Sequence, residues 1–262
     1  MTATRLDVAL VARGLAESRE KAQALVMAGR VNVDGARADK PGRAVRDGAA
    51  IEVAAGPEHV GRGALKLAGA LDRFGLDPAG RVGIDVGAST GGFTEILLAR
   101  GAVRVYAVDV GRGQLHEKIR SDPRVVVLEK TNARALSPAI VPEPCAIASV
   151  DVSFISVRKV LAPLATVLAD GADAVVLVKP QFEVGRRQVG RGGLVTDPSL
   201  HRQSLADVAA DAQAGGYGVA GAGPSPITGT EGNREFFLHL VKRAIPLERG
   251  AFDAMMEAAV QP

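Results

Sequence analysis

The sequence predicts an α/β protein whose main domain is a doubly wound, mostly parallel sheet of seven strands, preceded by a small α+β module. From residue 82 onward, short apolar runs alternate with stretches of helical periodicity, which is typical of a parallel sheet covered by helices on both faces. A turn of small residues with three glycines joins the first of these runs to a helix. Doubly wound sheets build their ligand pockets at such turns.

Length and composition limit the possible classes. At 262 residues the chain is long enough for one large domain and one small domain. No apolar run approaches the ~20 residues that span a bilayer, and no signal peptide is visible, so we expect a cytoplasmic protein. The net charge of +3 permits nucleic-acid binding without requiring it. The single cysteine, Cys145, excludes an intrachain disulfide, and its apolar context predicts burial.

The small module is predicted over residues 1–55, followed by a Gly- and Pro-containing linker at 56–61 and the large domain at 62–262. Ser18 is a suitable N-cap for the second helix, which is expected to end at Gly29. Basic side chains are expected around the helices and the following turn, where they would contact RNA phosphates unless they form only a solvated surface. These candidates are Arg5, Arg13, Arg19, Lys21, Arg30 and Arg37.

Four segments of the module carry a family resemblance: Arg5-Leu-Asp7, Ser18-Arg-Glu-Lys-Ala22, Leu25-Val26 and Gly29-Arg-Val-Asn-Val-Asp-Gly35. They resemble the S4 RNA-binding domain, which implies contact with structured RNA. The 3% aromatic content argues against the aromatic platforms that grip single strands.

The large domain begins with an amphipathic helix that carries Lys66, a residue whose pattern alone predicts a surface position. Its first strand ends near Asp85 and leads into the turn 87–92, whose glycines let a ligand approach the backbone. The spacing of these glycines differs from the dinucleotide fingerprint. An acid inside the strand suits a cationic ligand without phosphate, such as S-adenosylmethionine, while a turn without any ligand is the alternative.

The following strands add polar ends. Asp109 ends the second strand 22 residues beyond Gly87, where a carboxylate can accept both ribose hydroxyls of a nucleoside. Glu129 and Asn132 end the third strand, where the adenine edge would lie. The candidate cofactor-binding residues are Asp85, Gly87, Ala88, Ser89, Gly91, Gly92, Phe93, Asp109, Glu129, Asn132 and Asp151.

Two further charges, Asp151 and Lys179, end the fourth and fifth strands at the same rim of the sheet. Burying charges at strand ends costs desolvation energy, so several of them on one rim favour a site. A helix is predicted over 156–168 and a strand over 174–178. The loop after Lys179 contains Arg186, Arg187 and Arg191 among glycines, which predicts phosphate contacts with a polyanionic substrate or else a mobile surface loop.

Five motifs extend the resemblance to the whole chain: Arg62-Gly-Ala-Leu-Lys-Leu67, Asp85-Val-Gly-Ala-Ser-Thr-Gly-Gly-Phe-Thr94, Asp151-Val-Ser-Phe-Ile-Ser156, Lys179-Pro-Gln-Phe-Glu183 and Gly232-Asn-Arg-Glu235. The large domain resembles the FtsJ-like methyltransferases, which implies a seven-stranded Rossmann-like methyltransferase sheet. With the S4-like module in front, residues 5–240 resemble the TlyA family, hemolysin-named proteins that methylate ribosomal RNA.

The resemblance implies a Lys–Asp–Lys–Glu catalytic tetrad at Lys66, Asp151, Lys179 and Glu235, with Glu231 as an alternative for the last position. It also implies S-adenosylmethionine as cofactor and ribosomal RNA or ribosomal subunits as partner, and it adds Arg62 to the RNA candidates. A ribose 2′-OH is a poor nucleophile, and a lysine flanked by a second cation can act as its general base. We expect Lys179 in that role, with no metal.

We therefore expect a monomeric rRNA 2′-O-methyltransferase, with no membrane association and no protein partner. Three alternatives remain open at this point. One is a non-catalytic RNA-binding or ribosome assembly factor, and a second is a membrane-active hemolysin. The third is a base methyltransferase, although such enzymes usually have an Asn/Asp-Pro-Pro-aromatic loop where this chain has Asp151-Val-Ser-Phe154.

Overall fold

The computed structural model describes residues 3–54, 59–245 and 247–261. The chain divides into two compact units, residues 1–58 and 59–262. Each unit has a hydrophobic core of its own. Residues 56–58 of the predicted linker lie outside the described residues.

Unit 1 is a small α+β fold of two helices and five short strands within its described residues. Its elements are β1 (Ala3–Arg5), α1 (Leu6–Ala12), α2 (Arg19–Met27), β2 (Val31–Val33), β3 (Ala36–Arg37), β4 (Ala44–Arg46) and β5 (Ile51–Val53). Strands β3, β2 and β5 form an antiparallel sheet, and β1 pairs with β4. The apolar faces of both helices pack on these strands through Leu6, Leu10 and Val26.

The sequence signals at the ends of α2 are confirmed. The hydroxyl of Ser18 accepts a hydrogen bond from the backbone N–H of Lys21 at 3.2 Å, which caps the first turn. Gly29 follows the helix with φ +67°, a left-handed conformation that a residue with a Cβ rarely adopts. The tight turn at Asp34 and Gly35 then brings β3 back against β2.

Unit 2 contains seven helices and seven strands within its described residues. The strands are β6 (Val82–Val86), β7 (Arg104–Val108), β8 (Val125–Leu128), β9 (Cys145–Val150), β10 (Leu168–Val178), β11 (Tyr217–Pro224) and β12 (Phe236–Lys242). The helices are α3 (Gly63–Phe74), α4 (Gly92–Ala99), α5 (Glu117–Arg120), α6 (Arg158–Ala165), α7 (Pro180–Glu183), α8 (Pro198–Ala214) and α9 (Arg249–Val260).

The seven strands form one sheet in the order β11-β12-β10-β9-β6-β7-β8. Strands β6 to β10 run parallel, and β12 is antiparallel to both of its neighbours. The predicted doubly wound, mostly parallel sheet of seven strands is thereby confirmed.

Helices cover both faces of this sheet because successive side chains of a buried strand point to opposite sides. In β10, Val176 and Val178 belong to the core beneath α6, α8 and α9. Val175 and Leu177 belong to the core beneath α3 and α4. The strand interiors are therefore mostly apolar, with Asp85 in β6 and Ser149 in β9 as buried polar exceptions that are hydrogen-bonded to each other.

The predicted boundaries around β10 were wrong. The helix expected over 156–168 ends at Ala165, and Leu168 already pairs with Cys145 on β9. The register then shifts before Asp173, in a stretch where Gly171 has φ +75°. Such an irregularity adds residues to one strand without a counterpart in its partner, which a purely periodic pattern does not reveal.

Cys145 is fully buried at the start of β9, as predicted. Burial raises the pKa of its thiol to about 12, so the reactive thiolate is scarce at neutral pH. Within the described ranges, no helix combines the length and the hydropathy required to cross a membrane.

Candidate active site

Two neighbouring cavities open at the carboxyl edge of the parallel sheet. The first has a volume of about 460 Å³ and the second about 360 Å³. They share three lining residues, Asp151, Ser153 and Phe154, all in the loop that follows β9. The loop therefore stands between a site beside the glycine turn and a site beside the lysines.

Gly87 shows why the turn after β6 consists of small residues. It has φ +89°, and a Cβ at this position would lie 2.2 Å from the carbonyl oxygen of Asp151. A side chain there would displace either the turn or the loop after β9, so glycine allows these two segments to approach each other closely at the first cavity.

Asp109 directly follows β7 and lines the first cavity. One of its oxygens accepts from the backbone N–H of Ser89 at 2.8 Å and the other from Gly111 at 2.7 Å. Each carboxylate oxygen can accept a second bond, so Asp109 is anchored and still able to hold two hydroxyl donors. Of the predicted cofactor residues, five line this cavity: Gly87, Ser89, Asp109, Asn132 and Asp151.

The other predicted cofactor residues lie outside the lining of this cavity: Asp85, Ala88, Gly91, Gly92, Phe93 and Glu129. Phe93 packs in the core with its ring 6.2 Å from that of Phe237. Glu129 forms an ion pair with Arg120 and accepts from the backbone of Gly113. Gly91 caps α4 with φ +93°. In this structure these residues hold the turn and its surroundings in shape.

Asp85 is fully buried beneath the turn, inside β6. Its carboxyl accepts from the hydroxyls of Thr94 at 2.7 Å and Ser149 at 3.1 Å. Burial raises the pKa of Asp85 to about 7, and the two hydroxyl donors oppose this rise. Asp85 therefore changes its protonation state near neutral pH.

Replacing Asp85 by asparagine is expected to stabilise the protein at alkaline pH. Between about pH 4 and pH 7 the folded protein holds a proton that the unfolded chain has released, so wild-type stability falls as pH rises through this window. The variant lacks this loss, because asparagine does not ionise. We expect a gain of about 2–4 kcal/mol at pH 8.5 that disappears toward pH 4. Urea denaturation at both pH values measures the difference in unfolding free energy between the variant and the wild type. An equal difference at both pH values would contradict a raised pKa for Asp85.

The second cavity contains all four residues of the predicted tetrad. Lys179, directly after β10, forms an ion pair with Asp151, and its ammonium also donates to the hydroxyl of Ser153 at 2.9 Å. Lys66 on α3 and Glu235, directly before β12, form a second ion pair at 2.5 Å. Both lysines are 8% exposed, so the surface position that pattern alone predicted for Lys66 was wrong. Burial requires such pairing, since an isolated buried charge is costly.

Sequence reasoning missed two aromatic rings at this site. Phe154 is 88% exposed and has φ +66°, an uncommon backbone conformation for a bulky residue. Its ring centroid lies 5.6 Å from that of Phe182, and both side chains line the second cavity. The signal was present in the motifs that begin at Asp151 and Lys179. The low overall aromatic content argued against an aromatic platform, but two rings that meet at one place are sufficient for a stacking surface.

The basic candidates of unit 1 fall into separate groups. Asp7 is fully buried and accepts from the guanidinium groups of both Arg5 and Arg19. The hydrogen bond from Arg5 lowers the pKa of this carboxyl far below its usual range. Arg13 and Arg30 instead donate to backbone carbonyls. The guanidinium of Arg37 lies against Gly29, and Lys21 is exposed on α2.

The basic candidates of unit 2 are solvent-accessible. Arg62 precedes α3, lines the second cavity and donates to the carbonyl of Thr228 at 3.3 Å. The exposed arginines of the loop after α7 are Arg186, Arg187 and Arg191. Asn233 anchors the end of this loop, since its side chain accepts from Val195 N–H and donates to Gly193 C=O, both at 2.9 Å.

The first residues of unit 2 are held by a buried carboxylate on α4. Glu95 accepts from the backbone N–H of Val60 at 2.9 Å and from the ammonium of Lys118 at 2.7 Å. His59 lies 3.4 Å from the same carboxylate and is only partly exposed. In the described ranges, no group of three or more His, Cys, Asp or Glu side chains is arranged to hold a metal ion.

Comparison with known proteins shows which family this chain resembles in sequence. The family model described as FtsJ-like methyltransferase matches residues 59–242, and the S4 domain model matches residues 4–51. The 16S/23S rRNA (cytidine-2'-O)-methyltransferase TlyA of Mycobacterium tuberculosis is 51% identical over 238 residues, which cover 90% of this chain and 89% of that protein. Hemolysin A of Brachyspira hyodysenteriae is 38% identical over 90% of this chain and 99% of the relative.

A solved structure supports the same assignment. A hemolysin-named protein of Streptococcus thermophilus superposes with a TM-score of 0.73 at 43% identity, covering 98% of this chain and 95% of the other. The family matches span both compact units, and both ion-paired lysines lie within the range that the FtsJ-like model matches. The chain therefore belongs to the TlyA family, in which an S4 domain precedes an FtsJ-like methyltransferase domain.

Proposed function

We propose that this protein transfers a methyl group from S-adenosylmethionine to a ribose 2′-oxygen of ribosomal RNA. One observation carries the proposal. The ion pair of Lys179 and Asp151 lies where the first cavity meets the second, so one loop borders both a cofactor-sized pocket and a pocket with a buried amine. The named activity of the Mycobacterium tuberculosis relative supports the same chemistry.

The residues of the first cavity fit S-adenosylmethionine. A volume of about 460 Å³ falls in the range of cofactor sites, which is ~300–1,000 Å³. The free lone pairs of Asp109 would accept both ribose hydroxyls of the adenosine, and Val110 and Ile155 offer apolar walls for its base. The backbone turn at Gly87 would admit the amino-acid end. When bound, the cofactor supplies an electrophilic methyl group on a sulfonium.

The residues of the second cavity would prepare the ribose. Asp151 and Ser153 hold the amine of Lys179 at the junction. Once it has released its own proton, this amine can accept the proton of the 2′-OH as the oxygen attacks. Lys66, held by Glu235, adds a fixed positive charge to the same cavity and favours the developing negative charge on that oxygen.

Basic side chains on each of the two units would contact RNA phosphates. Arg62 borders the second cavity directly, and Arg5 and Arg19, held by Asp7, form a guanidinium pair on unit 1. Phosphate contacts of this type position a nucleic acid without reading its sequence. We infer that the protein acts in the cytoplasm on ribosomal RNA or its subunits, as a monomer and without a protein partner.

Methyl transfer tests the proposal. The protein, labelled S-adenosylmethionine and unmethylated ribosomal subunits are incubated, and the rRNA is digested to nucleosides. We expect label in 2′-O-methylated nucleosides. Label in a methylated base would favour a base methyltransferase, and absence of both label and cofactor binding would favour a non-catalytic RNA-binding factor.

Replacing Phe154 by alanine is expected to weaken use of the RNA substrate. An exposed ring between the two cavities can stack on the target base, and such stacking contributes ~1–3 kcal/mol. We expect kcat/KM for RNA to fall about 10- to 100-fold, while affinity for S-adenosylmethionine changes less than about threefold. The matched variant Phe154→Tyr keeps a ring and should retain activity. Equal losses in both variants would argue against stacking.

A further inference from the structure

The loop after β9 is fastened to the segment after β10 at both of its ends. At its start, Asp151 and Ser153 contact Lys179. At its far end, the carboxylate of Glu183 accepts from the hydroxyl of Ser156 at 2.6 Å and from the backbone N–H of Val157 at 2.8 Å. Phe154 of the loop and Phe182 of α7, whose rings are in contact, lie between these two fastenings.

Glu183 is the only acceptor that the described residues provide for both of these donors. It ends the short helix α7, whereas Val157 is the N-cap of α6. A carboxylate at that end of a helix satisfies an unpaired N–H group and interacts favourably with the helix dipole. Burial raises the pKa of Glu183, which reflects how far the surrounding protein shields this carboxylate from water.

Removal of this carboxylate would free one end of the loop while the other stayed tied to the lysine. The freed stretch includes Phe154, which lines both cavities. Phe154 already has a left-handed backbone conformation, which persists only when its surroundings hold it. A shift of about 1 Å at reacting groups can reduce a rate ~100-fold.

We propose that Glu183 is a positioning residue for methyl transfer. It fixes the loop 151–157 in the position in which the loop side chains contact the substrate. It acts through Ser156 and Val157 and does not itself border either cavity. The inference rests on the proposed function, because it assigns a role within that reaction.

Single-turnover methyl transfer with the full chain, saturating S-adenosylmethionine and ribosomal subunits tests this role. We expect Glu183→Ala to lower the maximal rate about 10- to 100-fold, with affinity for S-adenosylmethionine by calorimetry within about threefold of wild type. Glu183→Gln should retain at least about a third of the wild-type rate. Its amide oxygen can accept from Val157, and the hydroxyl of Ser156 can turn to accept from its NH2 group.

Ser156→Ala separates positioning from folding, because it removes one of the two bonds and leaves the carboxylate in place. We expect an intermediate loss, and the double variant Ser156→Ala/Glu183→Ala should be no slower than Glu183→Ala alone, since both changes break one network. Glu257→Ala, in an exposed ion pair with Arg202 on the outer helices, is the matched control and should keep the full rate.

Two results would overturn the inference. One is a wild-type maximal rate for Glu183→Ala, and the other is a glutamine variant as slow as the alanine variant with an unchanged melting temperature. An inactive wild-type protein would instead contradict the proposed function itself, so the two failures are distinguishable.

Discussion

Replacing Lys179 by methionine is expected to reduce the maximal rate of methyl transfer by about 10²–10⁴-fold, the usual contribution of a general base. The side chain is 8% exposed, and its ammonium contacts Asp151 and donates to Ser153. A methionine of similar shape fills the same space and has no basic nitrogen. The rate is measured under single-turnover conditions with saturating RNA and cofactor, so that binding losses do not enter.

Lys179→Arg distinguishes a base from a fixed charge. Arginine keeps the positive charge beside Asp151 and does not lose its proton at any pH at which the protein is folded. We expect it to be as slow as the methionine variant. Lys159→Met changes an exposed lysine on α6 and should keep the wild-type rate. If the arginine variant came within about tenfold of wild type, the amine would act through its charge, and the base would have to be another group.

Replacing Glu235 by alanine is expected to cost about 3–5 kcal/mol in the free energy of unfolding. Its partner Lys66 is 8% exposed and lies 2.5 Å away, so the variant leaves a buried ammonium without a counter-charge. For a domain of this size, each kcal/mol lowers the melting temperature by about 2–4 °C. Urea denaturation measures the loss directly, and Lys66→Ala should destabilise by a similar amount because the carboxylate is then unpaired.

The double variant Lys66→Met/Glu235→Met separates stability from activity. Removing both charges abolishes the desolvation cost as well as the attraction, so stability should return to within about 1–2 kcal/mol of wild type. Methyl transfer should nevertheless be lost, because the variant lacks the positive charge that we propose stabilises the ribose oxygen. The exposed pair Arg100–Asp72 is the control, and Arg100→Ala should cost less than about 1 kcal/mol. A fully active double variant would contradict a catalytic role for this pair.

Local sequence pattern was sufficient to predict the strands of the sheet and the charged residues that follow their carboxyl ends. The apolar runs predicted the parallel strands because a strand buried on both faces is composed mainly of apolar side chains. For the same reason, Asp109, Asp151 and Lys179 could be recognised as strand ends, and each directly follows its strand. Gly87 could be recognised as part of a small-residue turn after a strand, and the structure shows that a side chain there would clash with Asp151.

The partners of these groups were decided by the tertiary structure. Lys66 and Glu235 are separated by 169 positions, and their ion pair exists only because α3 and the start of β12 meet over the second cavity. Phe93 and Phe154 also show that local pattern does not reveal whether an aromatic side chain is buried or exposed. Phe93, predicted at the cofactor, is buried in the core, whereas Phe154, given no role, is exposed between the two cavities.

The sequence by itself therefore determined where charge and glycine occur along the chain, since strand burial and backbone sterics act within a few residues. Which charges neutralise one another, which ring is exposed between the two cavities and how the loop 151–157 is fastened by Glu183 depend on contacts between distant segments. Those contacts arise when the sheet and its helices pack, because burying a charge is favourable only if packing also delivers its partner.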